Sequence, residues 1–209
     1  MTTPGQPPDH RCAACSEPLV DGVCPNTVCR MPDRGFSRLY TVSDDPEGTW
    51  DLIRRFKYDE ERDLADHLGG MLAAYLIEHR DELSRFDAFT TTALYIGPRA
   101  QRLWDYLQVI LDAALRVAPD LPFEPGLIAK AGPTGRFLDL GVEERRAIAE
   151  HDLRDALHVP DPARVAGRRI LVVDDAYSEG FTLREMARTL LAAGAVEVAG
   201  LVLVRRKGT

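Results

Sequence analysis

The chain has 209 residues, of which 45% are hydrophobic and 28% charged, close to the average of globular proteins. This composition excludes a wholly disordered chain and a fibrous repeat, and the length predicts one main domain with a small appendage. The formal charge of -7 opposes non-specific binding to nucleic acid over the whole surface. No apolar run approaches the roughly 18 residues that span a bilayer, and residues 1–10 lack a basic and apolar leader. We therefore expect a cytoplasmic protein without membrane insertion.

The cysteines are confined to the start of the chain, as Cys12, Cys15, Cys24 and Cys29. Their spacing is close to the paired-knuckle pattern in which four thiolates surround one zinc ion. Four thiolates leave no position open to water, so the predicted zinc is structural and not catalytic. Two disulfides or unpaired thiols are the alternative, which a reducing cytosol disfavours, and His10 is an alternative ligand to one thiolate.

Composition divides the chain into four parts. Residues 1–11 are rich in proline and polar residues and predict a disordered tail. Residues 12–30 form the predicted zinc-binding module, which is zinc-ribbon-like and separate from the main core. Residues 31–49 are predicted to be a linker, and residues 50–209 the main domain.

Helices and strands alternate along the main domain. Apolar residues at three- and four-residue spacing predict two helices after Trp50, divided near Asp59. Residues 90–96 predict a buried strand, and a helix follows it. The apolar runs 170–173 and 198–204 flank another helix and form a βαβ unit. The predicted fold is therefore α/β, with a mainly parallel sheet flanked by helices.

Acidic residues follow the first of these runs. Asp174 and Asp175 are predicted at the carboxyl end of a parallel strand, where open α/β sheets bind ligands. Thr182 and Glu185 predict a capping box that starts a helix at Leu183, whose free amides attract phosphate. Carboxylates for ribose hydroxyls and amides for a phosphate together predict a ribose-phosphate site. The alternative for the aspartates alone is an acidic strand end in contact with solvent.

The segment Ile170–Thr182 resembles the phosphoribosyl pyrophosphate signature of type I phosphoribosyltransferases, in which four apolar residues precede two acidic ones and a small-residue loop. Most of the chain is similar to the ComF-like branch of that family, which joins a four-cysteine zinc module to such a domain. The branch's early motif resembles Phe56–Tyr58 with residues 62–65. Its closing helix and strand resemble residues 187–195 and 202–205.

This resemblance implies a type I phosphoribosyltransferase fold and a magnesium-dependent enzyme, in which a nitrogen nucleophile displaces pyrophosphate from phosphoribosyl pyrophosphate. It implies that Asp174 and Asp175 are the catalytic pair and bind the ribose hydroxyls. Gly97 and Arg99 would bind pyrophosphate, and residues 131–141 would close over the sugar as a mobile loop. The implied contacts to phosphoribosyl pyrophosphate are Asp174, Asp175, Ala176, Tyr177, Ser178, Glu179, Gly180, Phe181 and Thr182.

Two departures from the family pattern favour a second hypothesis. Glu179 stands where threonine is common and would face a phosphate, and Phe137 stands where the family has a glutamine. The alternative is a non-catalytic regulator that binds phosphoribosyl pyrophosphate or a nucleotide and is linked to DNA uptake or nucleotide metabolism. Its zinc module would contact a protein partner or single-stranded DNA, and a homodimer is left open.

Other charged and aromatic side chains receive simpler interpretations. Lys57 is predicted on a solvated helix face, with stacking on nucleic acid as the alternative. Arg145 is predicted to form exposed ion pairs with neighbouring glutamates. Trp50 is predicted in the core, and Arg206 near the chain end contacts either a phosphate or solvent.

Overall fold

A computed structural model describes residues 10–100, 104–135 and 140–206 of the chain. Its strands are β1 Leu39–Thr41, β2 Ala88–Thr91, β3 Ala129–Lys130, β4 Leu157–His158, β5 Arg169–Tyr177 and β6 Glu197–Arg205. Four of them form a parallel sheet in the order β1-β6-β5-β2. Strands β3 and β4 form a separate antiparallel pair.

The helices are α1 Pro46–Tyr58, α2 Leu64–Glu78, α3 Arg80–Leu83, α4 Tyr106–Val117, α5 Val142–Ile148, α6 Arg154–Ala156 and α7 Phe181–Ala192. A π-helical turn, Ala149–Leu153, joins α5 to α6. Aspartates start two of the longer helices: Asp45 accepts a hydrogen bond from Gly48 N, and Asp105 accepts one from Gln108 N. In the described ranges, none of the helices has the length and apolar character to cross a membrane.

The two faces of the sheet bury two different hydrophobic clusters. Along β5, Ile170 and Val172 pack with α7 and the cysteine module, whereas Leu171 and Val173 pack with α1, α2 and α4. This alternation follows from the opposite directions of successive side chains in a strand. The α/β class, with a parallel sheet flanked by helices, is confirmed.

The predicted linker and the predicted separate module are both part of the main fold. Within 31–49, β1 pairs with β6, and α1 begins at Pro46, so the prediction of a linker over this range was wrong. The cysteine module shares its core with the main domain, since Ala14 and Val28 are buried in the same cluster as Ile170. Residues 1–9 of the predicted tail lie outside the described residues.

Both strands that frame the site end elsewhere than predicted. Strand β2 stops at Thr91, opposite Val173, and not at residue 96. Strand β5 does not stop at Val173 but continues to Tyr177, because β6 pairs with it over its whole length. Asp174 and Asp175 therefore lie in the part of β5 that extends beyond β2 and pairs only with β6.

The predicted capping box at Thr182 and Glu185 does not form. Helix α7 begins at Phe181, after Gly180 in a left-handed conformation with φ 91°. Glu185 is fully buried and receives hydrogen bonds from Arg154 and Arg188 at 2.8 to 2.9 Å, so it is not available to cap the backbone. Those bonds outweigh burial, which raises the pKa of Glu185, and leave that pKa below its usual value.

Two adjacent glycines of α2 provide a matched test of helix packing. A Cβ on Gly69 would lie 2.8 Å from Ala114 N and Ile110 O of α4, whereas a Cβ on Gly70 would meet nothing within 4 Å. We expect Gly69→Ala to lower the free energy of unfolding by about 1 to 3 kcal/mol through overpacking. Gly70→Ala should raise it by about 0.5 to 1 kcal/mol through helix propensity. Urea denaturation checks both, and equal effects would contradict the described α2–α4 contact.

Candidate functional site

A cavity of about 300 Å³ opens where β5 runs beyond β2. The chain after β2, Thr92–Tyr95, forms one wall, and the end of β5 with the start of α7 forms another. The cavity lies at the lower end of the volumes of small-molecule sites. It is at the carboxyl ends of parallel strands, as the sequence predicted for the acidic pair.

Asp175 is held by two side chains from the helices on one face of the sheet. Lys57 Nζ of α1 lies 2.6 Å from Asp175 Oδ2, and Tyr106 of α4 donates to Asp175 Oδ1 at 3.3 Å. The side chains of Lys57 and Asp175 are only 8% and 7% exposed. Burial raises the pKa of Asp175, but the charge of Lys57 and these hydrogen bonds outweigh it and leave that pKa below its usual value. Asp175 is therefore a buried, ionised anchor.

Asp174 has a different environment, although it is the adjacent residue. It is partly exposed, lines the cavity, and accepts a hydrogen bond from Asp175 N at 2.8 Å. Burial, followed by the negative charge of Asp175, raises the pKa of Asp174 well above its usual range. The pair thus presents one fixed anion and one carboxyl that takes up a proton readily.

Basic side chains outnumber acidic ones on the described wall of the cavity. Lys57, Lys130, Arg145 and Arg206 face Asp174, Asp175 and Glu179. Lys130 Nζ donates to Thr134 Oγ1 at 2.7 Å, and burial lowers the pKa of Lys130. Arg206 lies over the ring of Trp50, 4.1 Å from its centroid. Since Lys57 is paired with Asp175 and Arg145 with Glu179, the basic excess on the described wall comes from Lys130 and Arg206 against Asp174.

The segment from Tyr177 to Thr182 makes a sharp turn into α7. Gly180 is required there, because its φ is 91° and a Cβ would lie 2.7 Å from Tyr177 Cζ. The Tyr177 ring is buried directly beneath this glycine. Amides in the first turn of α7 have no acceptor within the helix, so they are available to an anion in the cavity.

Glu179 is buried in the cavity wall and paired. Its Oε2 accepts a hydrogen bond from Arg145 Nη1 of α5 at 2.9 Å, and it is 4% exposed. Its Oε1 has no hydrogen-bond partner in the described part of the chain. The prediction that Arg145 forms only exposed pairs with neighbouring glutamates was wrong, since its side chain is 12% exposed and contacts Glu179. Arg145 offsets the charge that Glu179 brings to this wall of the cavity.

The structure brings together only some of the predicted site residues. All of Asp174 to Thr182 line the cavity, whereas Gly97 and Arg99 are exposed and do not line it. Arg99 has a left-handed backbone with φ 63°, which is unusual for a residue other than glycine. Of the predicted closing loop, residues 131–135 and 140–141 are described, and Phe137 lies outside the described residues.

The sequence interpretation missed Lys57 as a site residue. Lys57 is buried against Asp175, so its assignment to a solvated helix face was wrong. Ile53 and Phe56 of the same helix are fully buried, and Lys57 follows Ile53 by one helical turn. A lysine on an otherwise apolar stripe was the signal that a buried acidic partner exists. Trp50, in contrast, was predicted in the core but is only half-buried and lines the cavity.

The four cysteines form one cluster with the geometry of a metal site. Their sulfur atoms all lie within 4.8 Å of one another, and each cysteine is a free thiol. The Cys15 and Cys24 sulfurs are 3.6 Å apart, near the roughly 3.8 Å expected between two ligands of a tetrahedral site with 2.3 Å bonds. Burial raises the pKa of Cys24 to about 12, so a bound cation is needed to deprotonate it at neutral pH. The cluster fits a metal such as zinc.

The cysteine module also contacts the cavity wall directly. Asn26 Nδ2 donates to Ser178 O at 2.9 Å, and Tyr177 donates to Asn26 Oδ1 at 3.2 Å. Cys29 Sγ lies 3.8 Å from the Tyr177 hydroxyl. On the next strand, Arg205 donates to Cys15 O at 2.5 Å. The module is therefore fixed to the same segments that form the site.

Comparison with known proteins shows weak homology to a bacterial protein. The chain is 24% identical over 190 residues to DNA utilization protein YhgH of Escherichia coli (strain K12). The match covers 90% of this chain and 80% of that protein. The protein of the same name from Shigella flexneri gives the same identity and coverage. No family model matches the chain.

Among solved structures, the chain is similar to an allosteric regulatory enzyme of purine biosynthesis (24% identity, TM-score 0.39) and to the glutamine phosphoribosylpyrophosphate amidotransferase of B. subtilis (24%, 0.39). Each match covers 68% of this chain, which spans only 25% and 26% of those two chains. A purine phosphoribosyltransferase from Pyrococcus horikoshii Ot3 gives 14% identity and a TM-score of 0.36, with 80% of this chain and 88% of that one covered. With TM-scores below 0.5, these likenesses leave the chemistry of the site to be inferred from its own residues.

Replacement of Lys57 tests whether its charge holds Asp175 ionised. In the native chain the pKa of Asp175 is lower in the folded state than in the unfolded state. The ion pair with Lys57 therefore stabilises the fold at pH values above the unfolded-state pKa of Asp175. This contribution is lost as the pH falls through the folded-state pKa. In Lys57→Met the hydrogen bond from Tyr106 remains, but the lysine charge is lost, so burial, which raises that pKa, is opposed less. We expect the variant to lose about 3 to 5 kcal/mol of stability at pH 7 and much less near pH 3.

Denaturation of both proteins at the two pH values provides the measurement. Arg54→Met is the matched control. Arg54 lies on the same helix and also forms ion pairs, but its side chain is 48% exposed. That variant should lose at most about 1 kcal/mol. A loss for Lys57→Met that does not change with pH would show that Asp175 is not its electrostatic partner.

Proposed function

We propose that the chain binds phosphoribosyl pyrophosphate, as its magnesium complex, in the cavity and transfers the phosphoribosyl group to a nitrogen acceptor. The observation that carries the proposal is the acidic pair on the wall of a cavity that also contains a helix N-terminus and an excess of basic side chains. Carboxylates accept hydrogen bonds from ribose hydroxyls, while amides and cations hold phosphate. The resemblance of Ile170–Thr182 to the phosphoribosyl pyrophosphate signature supports the same ligand.

The two aspartates contribute differently to the proposed binding. Asp174 is the more exposed of the two, and it accepts hydrogen bonds from the ribose hydroxyls. Asp175, held by Lys57 and Tyr106, fixes the strand end and the charge beside Asp174. The first turn of α7 receives the 5′-phosphate, and Arg145 offsets Glu179 there.

The proposed reaction is a substitution at the anomeric carbon. The nitrogen lone pair forms the bond to C1, the bond from C1 to the pyrophosphate oxygen breaks, and pyrophosphate leaves with that electron pair. The nitrogen releases its proton to solvent. Positive charge develops on the ribose ring during this step, and the fixed negative charge of Asp175 beside it stabilises that charge. The magnesium ion of the substrate neutralises the departing pyrophosphate.

One observation favours a second candidate, a regulator that binds the same ligand or a nucleotide without turnover. Gly97 and Arg99 do not line the cavity, so the proposed pyrophosphate contacts are not assembled there. The weak homology to a protein named for DNA utilization is compatible with a regulator linked to DNA uptake. Incorporation of labelled pyrophosphate into phosphoribosyl pyrophosphate, tested with a panel of bases and amines, separates the two: exchange supports the enzyme, and binding without exchange supports the regulator.

Removal of the two carboxylates tests the ribose site. We expect Asp174→Asn combined with Asp175→Asn to weaken ribose 5-phosphate binding at least about tenfold, because the variant loses both the Asp174 carboxyl that contacts the ribose and the fixed charge of Asp175 beside it. Calorimetry measures the affinity, and circular dichroism checks the fold. Asp152→Asn, which changes an exposed aspartate of the π-helical turn, is the control and should bind like the native chain. Unchanged affinity in the folded double variant would place the ligand elsewhere.

The metal of the cysteine cluster is proposed to be zinc with a structural role. Four thiolates satisfy its tetrahedral coordination and leave no position for a reacting water. Cys12, Cys15, Cys24 and Cys29 would hold the ion and fix the two turns of the module. Contacts of this module with protein or single-stranded DNA remain a proposal that follows from the regulator hypothesis.

Elemental analysis tests this assignment. The chain purified without added metal should contain about one zinc per molecule, and Cys15→Ser should lose most of it. Because most of the core lies around the sheet, the variant should keep the greater part of its helical signal. A native chain that contains no zinc, and whose thiols stay titratable after zinc is added, would contradict the assignment.

A further inference from the structure

Asn26 connects the cysteine cluster to the cavity wall through both polar atoms of its side chain. It lies between Cys24 and Cys29, and its Oδ1 accepts from the backbone N of Cys29 at 3.2 Å. The same oxygen accepts from the Tyr177 hydroxyl at 3.2 Å, while Nδ2 donates to Ser178 O at 2.9 Å. One side chain thus joins a cluster residue to two consecutive residues at the end of β5.

The bond to Ser178 fixes the direction of an amide in the proposed phosphate site. In a trans peptide the C=O and the following N–H point in opposite directions. Because Asn26 holds the Ser178 carbonyl on the side of the cysteine module, the N–H of Glu179 points away from that module. Ser178, Glu179 and Gly180 line the cavity, so this bond sets which backbone groups the segment offers to a ligand.

A second connection runs through Tyr177. Its hydroxyl lies 3.8 Å from Cys29 Sγ, and its ring lies directly under Gly180. The edge of Phe36 packs against the same ring, with centroids 6.3 Å apart. A shift of Cys29 would therefore move the support of the left-handed turn that starts α7.

We propose that Asn26 is a positioning residue through which the four-cysteine cluster sets the shape of segment 178–182, so that metal binding and phosphoribosyl binding strengthen each other. This inference rests on the proposed function for its ligand. A metal ion would fix the turn from Cys24 to Cys29, which contributes few apolar side chains to hold it otherwise. Asn26 would carry that order to Ser178. By linkage, the ligand must then tighten the metal by the same factor by which the metal tightens the ligand.

Two affinities of the full chain test the coupling. Calorimetry gives the affinity for ribose 5-phosphate with the metal loaded and after removal by a chelator. Competition with a coloured chelator gives the affinity for zinc with and without ribose 5-phosphate. We expect both affinities to rise by one common factor, at least about fivefold. Equal ligand affinities for the loaded and stripped chains would overturn the proposal.

The variant Asn26→Asp tests whether Asn26 positions segment 178–182 or only stabilises the cysteine module. Aspartate keeps both acceptor contacts, to Cys29 N and the Tyr177 hydroxyl, but cannot donate to Ser178 O. The variant should still bind zinc and lose the coupling. Thr27→Asp adds the same charge at the next residue without touching the bond to Ser178, and it should keep the coupling. Full coupling in Asn26→Asp would show that the hydrogen bond to Ser178 O does not transmit the coupling between the metal and ribose 5-phosphate.

Hydrogen exchange provides a readout that needs no ligand. Exchange of the amides at 178–182 should speed up when the metal is removed and in Asn26→Asp with the metal bound, while the amides of β2 should be unaffected. If the native chain binds no ribose 5-phosphate, the proposed function fails, and this exchange still decides whether the module positions the segment. Exchange at 178–182 that is the same with and without metal would overturn the link itself.

Discussion

Strand β5 runs past the end of its neighbour β2, and the site depends on that difference in length. Pairing with β2 ends at Val173, while pairing with β6 continues to Tyr177. The unpaired edge of β5 leaves room for a cavity, and the chain after β2 turns away to form its wall. Alternation along the strand then sends Asp175 toward α1 and α4 and places Asp174 beside the cavity.

Burial of the Asp175 carboxylate next to Asp174 requires a positive charge close to it. Asp175 is buried at 5% exposure, and an isolated ionised carboxylate there would be strongly unfavourable. Lys57 supplies the positive charge at 2.6 Å. Burial, and after it the charge of the ionised Asp175, raises the pKa of Asp174, so the ion pair contributes to the protonation behaviour of both members of the acidic pair.

Much of this arrangement was predictable from local patterns. The βαβ unit, the two helices divided near Asp59 and the cysteine cluster follow from periodicity and spacing, because these depend on neighbours in the sequence. The strand ends were not predictable, since β2 and β5 end where their partners allow. The same holds for Lys57, Arg145 and Glu185, because each of them has a partner at least 31 residues away. Asn26 lies between two cysteines of the cluster, and only the fold shows that it reaches Ser178.

The cysteine module has two relations to the rest of the molecule. It covers part of one sheet face, and it supports the turn at Gly180 from behind the cavity. It also contacts the sheet directly, since Leu39 N of β1 donates to Ala14 O at 2.7 Å. The cysteine module and the cavity thus share one boundary.

The most direct test of the proposed ligand compares ribose 5-phosphate with inorganic phosphate. Both anions can reach the amides of α7, but only the sugar phosphate can also bond to Asp174. Calorimetric titration of the native chain, at one salt and magnesium concentration, should show ribose 5-phosphate binding about fivefold more tightly, because one net hydrogen bond contributes about 1 kcal/mol. The same affinity for both would contradict a ribose site at the end of β5.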